Sequence, residues 1–184
     1  MEKIELNLVA ITNSESHPGN FAMVLEDLEA KKRIPIIIGE KEAQAIAVVL
    51  EKMKPLRPQT HDLFSDTINA LSAKLTEVVI NNVEDGKYHA ILVLEQSGQQ
   101  IEVDARTSDA IAMAVRHQCP IYSFKSILDS AGFTTDTNGH NLDRRNAYLD
   151  YSREELEGLL KKVLLKEDYE SAKRIQEAIT KKKG

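Results

Sequence analysis

The sequence is poor in the residues that mark several classes of protein. It has one cysteine and no tryptophan in 184 residues, which excludes a disulfide scaffold and a cysteine-rich zinc module and favours a reducing cytoplasm. No apolar run approaches the roughly 18–20 residues that cross a bilayer. Glu5 and Asn7 interrupt the apolar N-terminal stretch, so it is not a signal peptide. We therefore expect a soluble cytoplasmic protein with no membrane partner.

The charge balance is acidic. The chain carries 24 lysines and arginines against 29 aspartates and glutamates, a formal net charge of −5. This argues against a protein that coats nucleic acid through broad counterion release. It leaves open an enzyme that holds a single phosphodiester through a few arginines or a metal ion.

Hydrophobic periodicity predicts an α+β domain with mostly antiparallel sheets and helices packed against them. Apolar alternation and short apolar runs predict strands at 4–10, 21–25, 34–38, 76–83, 88–95, 100–104 and 121–124. Helical spacing predicts one helix from Gly39 to Pro55, a second from Thr60 to about Ala73, and a third over about 108–118.

The two halves of this pattern align with each other. An offset of 65 residues, which carries position 45 onto position 110, places Ala45-Ile46-Ala47 on Ala110-Ile111-Ala112 and Pro55 on Pro120. In both halves the aligned helix follows three predicted strands. We therefore predict a duplicated β-β-β-α unit.

The C-terminal part has a different character. Residues 133–150 are polar with little apolar periodicity and are predicted to be a linker between a domain at 1–132 and a segment at 151–184. In that last segment Ser152 and Glu155 have the spacing of a capping box before an amphipathic helix, and Asp168 can cap a second one. Two such helices with a short connection predict an antiparallel helical hairpin.

The first candidate for chemistry is the stretch from Arg57 to Asp62. Thr60 stands where a helix N-cap is expected, which places His61 and Asp62 in the first turn. A threonine cap, an aspartate that compensates the helix dipole and a surface histidine need no function. Alternatively, the histidine exchanges a proton near neutral pH while Arg57 and the helix N-terminus bind a phosphate.

The second candidate is the corner where a predicted strand runs into the third helix. Residues 107–108 are expected to supply the N-cap, and Asp109 falls in the first turn. Capping gives no reason for Asp104 and Arg106. Two carboxylates beside an arginine suit a divalent cation with a phosphate opposite it. The corresponding corner of the first unit, residues 39–42, is also charged.

Three segments together resemble the bifunctional nuclease domain family over about residues 1–132. They are IPIIIGEKEAQAIAVVLE, RPQTHDL, and VDARTSDAIAMAVR followed by CPIY. One departure is Thr107, where the family usually has proline. The resemblance implies an α+β domain, self-association into a homo-oligomer, and cleavage of both RNA and DNA.

The C-terminal segment LEGLLKKVLLKEDYESAKRIQEAI resembles the UVR motif shared by the excision-repair proteins UvrB and UvrC. That motif is a helical hairpin used for protein–protein contact. The resemblance implies an interaction module that binds a protein partner.

Our leading hypothesis is a nuclease that acts on RNA and DNA with low sequence specificity. His61 would transfer the proton, and Arg57 and Arg106 would stabilise charge on the phosphate. The predicted ligands of a divalent ion, magnesium or manganese, are Asp62, Asp104 and Asp109. Such a site requires the three carboxylates to lie within about 10 Å of one another, since oxygen ligands converge on the ion.

The alternative is a non-catalytic regulatory or ligand-sensing module whose hairpin recruits a partner. A cleft shared by His61 and Asp104 would favour the enzyme. Side chains engaged in capping and buried hydrogen bonds would favour the module. A third possibility is that the hairpin only drives homo-oligomerisation.

Overall fold

The computed structural model describes residues 2–14, 17–27, 29–84, 86–134, 156–158, 160–161, 175–176 and 179–180. The chain forms two compact units, Met1–Gly132 and Phe133–Gly184. The first unit is an α+β domain, which confirms the predicted fold class.

A mixed sheet forms the first unit together with helices that pack on it. Its strands are β1 (Lys3–Asn13), β2 (Phe21–Glu26), β3 (Lys32–Ile38), β4 (Ala73–Glu84), β5 (Lys87–Gln96), β6 (Gln99–Arg106) and β7 (Ile121–Phe124). Its helices are α1 (Glu40–Leu50), α2 (Thr60–Ala70), α3 (Thr107–His117) and α4 (Lys125–Ala131). These strands lie in the order β6-β5-β4-β7-β1-β2-β3. Neighbouring strands are antiparallel, apart from the parallel pair of β4 and β7.

Strand β1 joins the two parts of the sheet. Its first residues, Lys3 to Leu6, pair with β7, and its later residues, from Asn7, pair with β2. The register with β2 shifts between Leu8 and Ala10, which leaves Val9 as an extra residue in the ladder. A bulge of this kind bends a strand and increases its twist, so one long strand can serve both neighbours.

The predicted strands and long helices are present, with differences at their ends. Helix α2 ends at Ala70 and not near Ala73, because Ser72 turns the chain with φ of 57° and Ala73 already begins β4. Helix α4 has seven residues, too few for periodicity to predict it. Three strands followed by a helix occur twice in the element order; the duplication of the sequence itself stays a prediction.

Helices α1 and α3 pack against each other over the sheet. Each presents small buried side chains, such as Ala43 and Ala45 in α1 and Ala110 and Ala112 in α3. The larger buried residues Ile46 and Ile111 belong to the same core as the inward faces of the strands. Burial of these apolar faces stabilises the two helices, and the strand-to-helix corners that precede them are thereby held in place.

Helix α2 is held differently. Ile68 is its only buried residue, while Leu63, Phe64 and Leu71 around it are exposed. Its contacts with α3 include hydrogen bonds between side chains. Polar links therefore contribute more to the position of α2 than they do for α1.

Gly132 ends α4 at a position where a side chain does not fit. Its N–H donates to Leu128 O at 2.9 Å, and a Cβ added at this residue would overlap that same carbonyl oxygen. Because the obstacle is backbone, we expect Gly132→Ala to lower the free energy of unfolding by about 1–3 kcal/mol, as overpacking does.

Urea denaturation would measure the effect of this substitution. Gly158→Ala is the control and should keep or raise stability, since a Cβ there meets no atom of the described residues within 4 Å and alanine has the higher helix propensity. Equal stability of the two variants would contradict the clash at Gly132.

In the second unit the described residues comprise the short strand β8 (Phe133–Thr134) and parts of helices. Leu156, Ile175 and Ile179 are buried together, with Leu160 packed against them. These four residues belong to the two predicted amphipathic helices. The predicted linker beyond Thr134 and most of the predicted hairpin lie outside the described residues, so both stay predictions. Among the helices that are described, none is long and apolar enough to cross a membrane.

Candidate functional site

A cavity of about 840 Å³ opens in the first unit where α1, α2 and α3 begin and β6 ends. The charged and titratable side chains that line it are Lys41, Glu42, His61, Asp104, Arg106 and Asp109. Apolar side chains, Phe64, Leu92, Val103 and Met113 among them, form other parts of the lining.

Three helix N-termini meet at this cavity. Glu42 lies in the first turn of α1, His61 in that of α2 and Asp109 in that of α3. The N–H groups of a first turn have no partner within the helix, and the macrodipole makes this end positive. These N-termini, with Lys41 and Arg106, attract an anion such as a phosphate, whereas the carboxylates of the lining oppose it.

The N-caps of α2 and α3 are not the residues that the sequence predicts. Gln59 caps α2, and its backbone N–H donates to Asp62 Oδ2 at 2.9 Å, so Thr60 is already helical. Because β6 runs directly into α3, Arg106 keeps an extended conformation and occupies the cap position. Thr107 is the first residue of α3, and its hydroxyl donates to Tyr88 O at 2.8 Å. Thr107, which stands where the family usually has proline, thus links α3 to β5.

The carboxylate of Asp109 is the centre of the site. Its Oδ1 lies 3.0 Å from His61 Nε2. Arg106 donates to it twice, from Nε to Oδ2 at 2.6 Å and from Nη2 to Oδ1 at 3.1 Å. Arg106 Nη1 also donates to Glu42 Oε1 at 3.3 Å. One continuous network therefore joins the first turns of all three helices.

The network keeps Asp109 ionised. Burial raises the pKa of this carboxyl, but the hydrogen bonds from Arg106 and His61 outweigh burial and hold the pKa below its ordinary value. The same hydrogen bonds, which Arg106 donates to Asp109, raise the pKa of Arg106. Since an ionised carboxylate can only accept, His61 Nε2 must donate to it. In the neutral imidazole this leaves the lone pair on Nδ1, which can accept a proton.

Exposure divides these residues into two roles. The side chain of His61 is 18% exposed and that of Arg106 is 69% exposed. The histidine is therefore held by its surroundings, while the guanidinium reaches solvent in the cavity.

Gly39 leaves room for the Glu42 carboxylate, because a Cβ at Gly39 would lie 2.5 Å from Glu42 Oε2.

The other predicted site residues have different surroundings. Asp62 Oδ1 accepts from Arg116 Nε at 2.8 Å, and the Arg116 side chain is only 6% exposed. Asp104 is exposed and lines the cavity. Arg57 is exposed and is not among the lining residues. The structure thus brings together His61, Asp104, Arg106 and Asp109, and it gives Asp62 a separate partner.

The donor set does not fit a resident metal ion. Among the described residues there is no group of three or more histidines, cysteines, aspartates and glutamates that could hold one. The carboxylates of Asp62 and Asp109 are each paired with an arginine, whose charge competes with a cation. The predicted magnesium or manganese site stays a prediction, which a chelator experiment can test.

Several residues of the site were not singled out in the sequence. Glu42 could have been found, because the 65-residue offset aligns its corner with that of Arg106. Arg116 could not have been found in this way, since an arginine near the end of an amphipathic helix is usually predicted to be a surface residue. Its Nη1 donates to Ala45 O and Ala112 O, both at 3.0 Å, so it links α1, α2 and α3.

The fold and site together define an α+β domain with a cavity at three helix N-termini, built around a histidine–aspartate–arginine network. A sequence model of the bifunctional nuclease domain matches residues 23–136, and the chain belongs to the bifunctional nuclease domain family. This confirms the resemblance of the main domain. The UVR motif of the C-terminal segment stays a prediction.

Two curated relatives have been found in Mycobacterium tuberculosis. They are the uncharacterized protein MT1877 of strain CDC 1551 / Oshkosh and the uncharacterized protein Rv1829 of strain ATCC 25618 / H37Rv. Each is 39% identical over 110 residues, which is 60% of this chain. The chain spans 65% of the length of each relative.

Proposed function

We propose that the protein is a nuclease that hydrolyses phosphodiester bonds of RNA and DNA with low sequence specificity. The observation that carries this proposal is the hydrogen bond between His61 and Asp109. It lies beside the exposed Arg106, in a cavity at three helix N-termini. Membership of the bifunctional nuclease domain family supports the same class of reaction.

The geometry suggests how the residues divide the reaction. DNA has no 2′-hydroxyl, so a step common to both nucleic acids needs another nucleophile, which we propose is water. His61 takes a proton from this water at Nδ1 as its oxygen bonds to phosphorus, and returns the proton to the leaving oxygen when the ester bond breaks. Asp109 orients the imidazole and stabilises its protonated form. Arg106 binds the phosphate and stabilises the charge that develops on it.

The alternative function is a non-catalytic module that binds an anionic ligand and recruits a partner. The pairing of Asp62 and Asp109 with arginines favours it, because saturated carboxylates hold a structure together without reacting. The cavity shared by His61 and Asp104 favours the enzyme. Recruitment of a protein partner through the UVR-like hairpin, and self-association, are proposed with either function.

Cleavage of labelled single-stranded RNA and duplex DNA tests the proposal. We expect both to be cut in the presence of manganese or magnesium. Asp104→Asn should lower the rate about tenfold or more, since its carboxylate is exposed in the cavity and can hold the attacking water molecule. Glu102→Gln is the control, because Glu102 is exposed two residues earlier on β6 and does not line the cavity.

The outcomes separate the hypotheses. Activity lost on addition of a chelator would support the predicted metal, and activity that resists chelation would remove it. Equal rates for Asp104→Asn and Glu102→Gln would place the chemistry elsewhere. Failure of the folded wild type to cut either substrate would favour the non-catalytic module.

A further inference from the structure

A second cavity, of about 520 Å³, adjoins the first. Four residues line both cavities: Glu42, Asp104, Ala105 and Arg106. The two cavities therefore meet at the side chain that the proposed function assigns to the phosphate. A ligand longer than one phosphodiester can extend from one cavity into the other.

The second cavity brings further basic side chains to Arg106. Lys87 and His89 line it from the start of β5, and both are exposed. His89 is the direct partner of Arg106 in the antiparallel pair of β5 and β6. Directly opposite residues share a face of the sheet, and so do residues two apart on one strand. Lys87, His89 and Arg106 therefore stand on the same face.

The negative charges around this face are partly compensated by basic side chains. Glu42 is paired with Arg106, while Asp104 lies on the same face two residues before it. Glu84 is opposite Lys87 across the hairpin, but the described residues form no ion pair between the two. The Lys87 ammonium is thus available to a ligand in the second cavity.

The first cavity offers an apolar platform. Phe64 lines it from α2, one turn after Thr60, and is 39% exposed although it is a large aromatic residue. Proteins that bind single-stranded nucleic acid combine cations along the backbone with aromatic rings on which bases stack. A base can reach such a ring only when it is not paired in a duplex.

We infer that the substrate of this site is a single-stranded nucleic acid segment of more than one nucleotide that lies across both cavities. The phosphate to be cleaved binds Arg106, the neighbouring phosphate binds Lys87, and a base on the other side stacks on Phe64. This inference rests on the proposed function and adds to it the strand state of the substrate and its path across the two cavities.

The experiment compares a single-stranded 12-nucleotide oligomer with the minimal diester bis(p-nitrophenyl) phosphate. Lys87→Ala should raise KM for the oligomer about threefold to tenfold, with little change in kcat, and raise it less for the minimal diester. Because each phosphate contact in a single strand contributes about 0.7 to the slope of log affinity against log salt, the slope for the oligomer should fall by about that amount. Phe64→Ala should raise KM for the oligomer about tenfold.

Lys74→Ala is the matched control, since Lys74 is an exposed strand lysine that lines neither cavity. Equal effects of Lys87→Ala and Lys74→Ala on the oligomer would overturn the inference, as would a lower KM for a duplex of the same sequence than for the single strand. Both results leave the proposed function standing if the minimal diester is cleaved. No cleavage of either substrate by the wild type would reject the proposed function, and the inference with it.

Discussion

Replacement of His61 by alanine should lower kcat for phosphodiester cleavage by about 10²–10⁴-fold, the usual contribution of a positioned general acid–base group. The expectation rests on the position of the ring, because Nε2 donates to Asp109 at 3.0 Å and Nδ1 remains to accept a proton. KM should change much less, since the groups proposed to hold the phosphate, Arg106 and the helix N-termini, are unchanged. Single-turnover cleavage of a labelled oligonucleotide would measure the chemical step directly.

Asp109→Asn tests the other half of the pair. An asparagine at this position can donate to Nε2, which would move the imidazole proton to Nδ1 and remove the base. The same change weakens the two hydrogen bonds from Arg106 to Asp109. We expect a loss similar to that of His61→Ala, and little further loss in the double variant, because residues that act as a unit are not additive.

His117→Asn is the control for these variants. His117 also links α2 and α3, through a 2.9 Å hydrogen bond between its Nε2 and Ser65 Oγ, but it does not line the first cavity. It should keep most of the activity. If His61→Ala remains active while its circular dichroism spectrum and melting temperature match those of the wild type, His61 does not transfer the proton.

The strands and long helices of the first unit could be predicted because periodicity is a local property of the sequence. Ile34 to Ile38 form a strand and Ala43 to Leu50 a helix for reasons that a short window contains. Cap positions were predicted wrongly because a difference of one residue depends on backbone geometry, as at Gln59 and Arg106. Helix α4 could not be predicted, because its seven residues are too few to show a helical period.

The two corners were predicted to share one site around a metal ion, but the hydrogen-bonded network that joins them was not predicted. His61 and Asp109 are 48 residues apart in the sequence, and Glu42 and Arg106 are 64 apart. Only the packing of α1, α2 and α3 brings them together. Neighbours in the sequence can also be separated by the fold. Asp62 follows His61 and was predicted to share its site, but its side chain is paired with Arg116.

The largest expected effect on stability is that of Asp62→Asn, which should lower the free energy of unfolding by about 3 kcal/mol. Removal of one partner of a buried ion pair leaves the other charge uncompensated, at a cost of about 3–5 kcal/mol. The lower end applies because Asp62 is 29% exposed while Arg116 is 6% exposed. Nη2 of Arg116 is already buried with no hydrogen-bond partner among the described residues. Without Asp62, the guanidinium would keep only the hydrogen bonds from Nη1 to Ala45 O and Ala112 O.

The pH dependence of this difference follows from the pKa of Asp62. Burial raises that pKa, but the hydrogen bonds from Gln59 N–H and Arg116, together with the charge of Arg116, outweigh burial and lower it. A carboxyl with a lowered pKa in the folded state contributes stability above its unfolded pKa of about 3.9, and the contribution is lost as pH falls through the folded value. The difference between wild type and Asp62→Asn should therefore be constant near pH 7 and shrink below about pH 4.

A double-mutant cycle with Arg116→Met separates the pair from the rest of the fold. Methionine removes the buried charge and keeps much of the volume, so Arg116→Met should cost less than Asp62→Asn, and the double variant should be little worse than the single aspartate variant. Urea denaturation at pH 7 and at pH 3.5 would measure all four proteins. Because α2 buries only Ile68 and carries His61 next to Asp62, loss of this ion pair should also loosen the helix that positions the proposed base. Additive effects of the two substitutions, or a difference that persists unchanged at low pH, would mean that this ion pair does not hold α2 in place.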